Sequence, residues 1–137
     1  MQPFDSATFQ ARYQPMLAVA QAVGDRRTEW RLRFELFQER QNLHLTNDEI
    51  TRAQAELQAL VQSAGLEVEQ VVTAHYVNFE AYNSGQMPYE QLYSAILHEF
   101  EHIEVLGFER FRKHDLARML YHSGRFLFQL EDFEKAL

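Results

Sequence analysis

The sequence predicts an all-α protein, an antiparallel array of helical hairpins with about seven helices. Apolar residues recur every three to four positions along the whole chain and never every second position, which is the period of helices and not of strands. Only five glycines and three prolines occur in 137 residues, and three of the glycines fall where a helix should stop, at Gly24, Gly65 and Gly85. Thr46-Asn-Asp-Glu49 is a capping box, in which Thr46 and Glu49 satisfy each other's free backbone donors at a helix start.

Taken in order, residues 4–23 have a helical pattern that Pro15 should kink or divide. Trp30, Phe34, Leu36 and Phe37 give the second helix its apolar side. The third helix starts after Thr46 and carries Ile50, Ala53, Leu57, Leu60 and Val61 to about residue 64. A fourth, from about Glu67 to Asn83, presents Val71, Val72, Tyr76, Phe79 and Tyr82. Pro88 suits the first turn of a fifth, running to about Val105, since proline's missing N–H is no loss there. A sixth covers about 110–130, and Glu131-Asp132 reads as a polar hinge into a seventh.

The chain reads as one domain. At 46% apolar residues, with eleven Phe, six Tyr and one Trp, it has ample material for a core. The net charge is −7 and the Lys and Arg are dispersed among acids, which argues against a nucleic-acid partner. No apolar run approaches the roughly 20 residues that span a bilayer. The start, MQPFDSATFQ, has no basic segment followed by an apolar one, so no export signal is read. With no cysteine there is no disulfide, thiolate catalyst or Cys-based zinc site. A cytoplasmic location is the expectation.

The last stretch, Ala117 to Leu137 (ARMLYHSGRFLFQLEDFEKAL), sets small residues at Ala117, Gly124 and Ala136 among bulky Leu120, Tyr121, Leu127 and Phe133. With the Glu131-Asp132 hinge, it resembles the first two-thirds of a tetratricopeptide (TPR) repeat, a helix–turn–helix unit that stacks into binding scaffolds. The small residues would then mark close helix crossings. Fainter echoes lie at Leu17–Leu36 and Tyr76–Leu97, with hinges at Gly24 and Gly85. The hinges are 61 and 46 residues apart, against about 34 in a regular array. The pattern is similar to N-terminal TPR-type regions of bacterial signalling proteins such as sensor histidine kinases. The resemblance implies a non-catalytic protein-interaction scaffold or sensory domain, and a fragment whose last helix continues beyond Leu137. A second copy pairing through that open end is a further expectation.

The resemblance also implies a groove on the exposed side of alternate helices. Its candidate residues are Arg118, Tyr121, Arg125, Phe128 and Gln129 in the sixth helix, with His75, Phe79, Tyr82 and Asn83 in the fourth. Arginine forks match carboxylates and rings stack on peptides, so a protein or peptide partner is expected. The competing reading makes Phe79 and Phe128 core residues.

A different chemistry is suggested by His98-Glu99-Phe100-Glu101-His102, which is HExxH and resembles the zincin metalloproteases. Two histidines four apart on a helix can hold zinc, and Glu99 could take a proton from metal-bound water. On a helical wheel with Ile96 at the origin, however, His98 and His102 fall at about 200° and 240°, opposite the apolar residues. A third ligand would have to come from His114, His122 or a distant glutamate. No cofactor is therefore expected, and a zinc hydrolase using His98, Glu99 and His102 stands as the alternative. His75, His114 and His122 read as scattered, half-exposed helix residues, and Arg110-Phe-Arg-Lys-His114 as a solvated basic helix start.

Overall fold

The structure, a computed structural model, describes residues 5–136, with the side chains of Ser6 and 132–136 outside the description. Among the described residues there are six α-helices, one 3-10 turn and no strand. They are α1 (Ser6–Val23), α2 (Arg26–Gln38), α3 (Asn47–Ala64), α4 (Glu67–Asn83), α5 (Tyr89–Leu106), the 3-10 turn Phe108–Arg110, and α6 (Lys113–Ala136). The all-α expectation holds, and successive helices pack on one another as hairpins, α1 on α2 and α2 on α3. No helix among the described residues is long and apolar enough to cross a membrane.

The chain forms two compact units, Met1–Thr73 and Ala74–Leu137, with the boundary inside α4. In the N-terminal unit, Asp25 accepts from Thr28 N and starts α2, and the capping box of Thr46 and Glu49 starts α3. Gly24 and Gly65 close α1 and α3 at φ 74° and 64°, left-handed values at which glycine pays no steric penalty. Trp30, Phe34 and Phe37 from α2, with Leu57, Leu60 and Val61 from α3, are buried, as their spacing predicts. Leu36 is half-buried. The Trp30 ring stacks on Phe34 at 4.8 Å, and its Nε1–H donates to Thr73 Oγ1 at 2.9 Å. Tyr13 of α1 donates to Glu35 of α2, a bond that pushes the phenol pKa up to about 12.

Three expectations are corrected. Pro15 lies inside a single α1 and does not divide it. The ring deprives only the Ala11 carbonyl of its helical donor, a loss that one exposed turn tolerates. Glu131-Asp132 is not a hinge, because α6 runs unbroken to Ala136 and the sixth and seventh helices are one. No glycine or proline follows Gly124, and neither acid breaks a helix, so nothing local stops it. Finally, Gly124 and Ala117 are exposed, and a Cβ built on Gly124 meets nothing within 4 Å. Close helix packing is not the reason for that glycine, while Ala136 and the proposed pairing at Leu137 lie outside the described side chains. Gly124→Ala should therefore stabilise the C-terminal unit by about 0.5–1 kcal/mol through helix propensity alone, measured by urea denaturation. A destabilised variant would show that the glycine meets a partner.

In the C-terminal unit, Leu92 and Ile96 of α5 and Phe126 of α6 form the centre of a core. Phe79 and Tyr82 of α4, with Met87, Phe100, Leu127 and Leu130, pack around them. Tyr89 and Tyr93, which fall at about 20° and 60° from Ile96 on a helical wheel, are nonetheless 44% and 41% exposed. They lie in the first turns of α5, where a phenol can keep its hydroxyl in water.

Candidate functional site

The candidate groove residues separate into two groups. Arg118, Tyr121, Arg125, Phe128 and Gln129 are all exposed on the outer face of α6, at helical spacings of three and four. Tyr121 and Phe128 are about two-thirds exposed, so this face shows water two large aromatic side chains beside its arginines. Neither Arg118 nor Arg125 has an ion pair with another described residue. Phe128 is thereby a surface residue and not core.

His75, Phe79 and Tyr82 do not line that face. His75 is 1% exposed, and Phe79 and Tyr82 are half-buried beside Phe126, with ring centroids 6.4 and 5.3 Å away and nearly perpendicular. The apolar arc of α4 is turned into the core, and only Asn83 of that set is exposed. Tyr82 and Gln129 both line a cleft of about 290 Å³, together with Tyr89, Phe126 and Leu130.

Beneath α6 lies an arrangement the sequence reading did not foresee. His75 of α4 is held at both ring nitrogens: Nδ1 is 2.9 Å from Glu99 Oε1 of α5, and Nε2 is 3.1 Å from His122 Nδ1 of α6. The two imidazoles are nearly parallel, 16° apart in plane, and Tyr76 and Phe79 flank both. Glu99 Oε2 and Ser123 Oγ are buried with no hydrogen-bond partner among the described residues. An ionised carboxylate only accepts, so His75 donates from Nδ1, and its Nε2 then accepts from His122 when both rings are neutral. Burial, the His75 ring and Arg118 together hold the His122 pKa below its ordinary value of 6.5.

The helical wheel holds part of the signal for this chain, the inward placement of each member, but not their pairing. Relative to Ile96, Glu99 falls at about −60°, next to Leu92 at about −40°. Relative to Val72, His75 falls at about −60°, between Val71 and Phe79. Relative to Met119, His122 also falls at about −60°, against Phe126 at about −20°. Glu99 and His122 thus stand at the edge of an apolar arc, and His75 stands within one. The reading of His75 as half-exposed is therefore corrected, and His75 and His122 are paired and not scattered; His122 is half-exposed as expected, and His114 is exposed.

This arrangement also bears on the HExxH motif. His98 and His102 are exposed, 6.2 Å apart between ring centroids, on the side of α5 away from its core. Glu99, the proton acceptor of the hydrolase reading, is committed to His75 instead. Among the described residues no three His, Asp or Glu side chains gather as a metal-binding group. In the N-terminal unit a second concave surface, about 430 Å³, is lined by Pro15, Met16, Val19 and Val23 of α1 and Leu32 of α2, among others.

Fold and surface together define an all-α helical-hairpin protein with an arginine-aromatic face laid over a buried carboxylate–imidazole chain. No protein-family model, curated protein or solved structure matches this chain significantly.

Proposed function

We propose that this chain is a protein-interaction module whose C-terminal unit holds an acidic, partly apolar segment of a partner protein on the outer face of α6. The observation that carries this reading is the exposure of Tyr121 and Phe128 beside two arginines without acidic partners among the described residues. In a chain of net charge −7, such a patch is a local exception. Exposed large apolar side chains grouped with arginine are the composition of recognition surfaces, in which Arg and aromatic residues dominate the energy. Arg118 and Arg125 stand two helical turns apart, a spacing that suits two carboxylates of an extended or helical segment.

A scaffold or regulatory domain within a bacterial signalling protein is the wider role in which such a face would serve; with α6 continuous through Glu131-Asp132, the reading rests on that face and not on the TPR-like pattern. The hydrolase reading is weaker, because Glu99 is engaged with His75 and a third ligand for His98 and His102 is lacking among the described residues.

Selection of random peptides on the immobilised protein tests the proposal. Enriched peptides should pair acidic with aromatic or aliphatic residues. The double variant Arg118→Ala/Arg125→Ala should weaken their binding about a hundredfold, roughly tenfold per arginine, while keeping its helical ellipticity. Peptides without acids, or binding that survives the double substitution, would refute this face as the docking site.

A further inference from the structure

Resting on that reading of α6, we propose that the acidic segment binds together with a proton, taken up by the Glu99–His75–His122 chain beneath the docking face. His122 is the link between surface and interior. It lies on α6 four residues after Arg118 and three before Arg125, so its ring belongs to the same stretch of helix surface as both guanidiniums. Its Nδ1 is turned to His75, and its Nε2 has no partner among the described residues.

The hydrogen-bonding pattern lets the imidazole pair accept one extra proton and no second. With Glu99 ionised and both rings neutral, each bond in the chain is satisfied and the three groups together carry one negative charge. An added proton rests on His122 Nε2 and leaves both hydrogen bonds intact, with the buried carboxylate balancing the cation through His75. A second proton on His75 would set two N–H groups against each other across 3.1 Å.

The charges facing His122 decide when the proton is taken. From α4 it meets His75 and the edge of Tyr76; from α5, through His75, Glu99; on α6 itself, Arg118, Tyr121 and Arg125. In the free protein burial and the nearby positive charge of Arg118 favour the neutral ring, so its pKa is depressed. Carboxylates docked on Arg118 and Arg125 offset that positive charge, and the pKa rises on binding. Between the free and bound pKa values, binding takes up a proton, so affinity grows as pH falls through that window and levels off below the free value. The partner's carboxylates, with ordinary pKa values near 4, remain ionised over the same range.

The test is isothermal titration calorimetry with a peptide obtained from the selection above, at about pH 7.5 and pH 5.5, in two buffers of different ionisation heat. The expected result is a Kd about tenfold lower at the acid pH, with up to one proton taken up per peptide bound. His122→Gln, which keeps a polar side chain at a half-buried position, should bind equally at both pH values. Equal affinity at both pH values with no proton uptake by the unmodified protein would overturn proton-linked binding and leave the docking face standing. Selection that yields no peptide dependent on Arg118 and Arg125 would overturn the docking face itself, and proton linkage with it.

Discussion

Replacing His75 by alanine should destabilise the C-terminal unit by about 3–5 kcal/mol, a large share of what holds a small domain together. Two effects add. The imidazole is fully buried, so its removal leaves a cavity lined by Tyr76, Phe79 and His122. Glu99, whose side chain is only 10% exposed and whose Oε2 is already without a partner, would lose the donor to its other oxygen. A buried carboxylate with neither hydrogen bond nor counter-charge is the more costly of the two. A double-mutant cycle separates them. Glu99→Leu in the His75→Ala background removes the stranded acid, and should recover part of the loss; urea denaturation followed by helical ellipticity measures each variant. A loss below about 1 kcal/mol for His75→Ala would mean that water reaches the site and that the chain is not buried in solution.

Trp30→Ala should have a similar effect on the N-terminal unit, about 3–5 kcal/mol. No part of the side chain is exposed, so the cavity cannot be filled by solvent without wetting Phe34 and Phe37. The indole also donates to the buried Thr73 hydroxyl, which would be left without that donor. Trp30→Phe keeps most of the volume and the stacking on Phe34 but not the N–H, and should lose only about 1–2 kcal/mol. The difference between the two variants, read from denaturant midpoints, separates packing from the hydrogen bond. Equal losses would assign nearly the whole effect to the bond.

Much of the fold was legible because local signals and packing agree. The bounds of α3 follow from the Thr46–Glu49 box and Gly65, and those of α4 from the glycines on either side. Where local and tertiary signals parted, the reading failed in an understandable direction. Glu131-Asp132 looked like a turn because two acids interrupt an apolar pattern, yet acids are compatible with a helix interior and nothing else broke it. Gly124 looked like a packing residue because mid-helix glycine normally has a reason, and whether a neighbour approaches is a tertiary fact. The arginine-aromatic face was half legible. The spacing of Arg118, Tyr121, Arg125 and Phe128 fixes them on one face of α6, but the burial of His75, Phe79 and Tyr82 depends on what packs against α4. The Glu99–His75–His122 chain was hidden for a related reason. Its members lie 24 and 47 residues from His75 along the chain, and nothing in sequence spacing brings them together.

The chain's one tryptophan gives it an unusual optical economy. Trp30 lies wholly in the N-terminal unit, stacked on Phe34 and under the Arg31 guanidinium, so its emission is that of a shielded indole. Excited at the red edge of its absorption, the protein reports on that unit alone, while the far-ultraviolet ellipticity averages over helices of both. Superimposable denaturation curves from the two signals would show one cooperative melt, passed through the continuous α4; displaced curves would show two, each assignable without introducing any label.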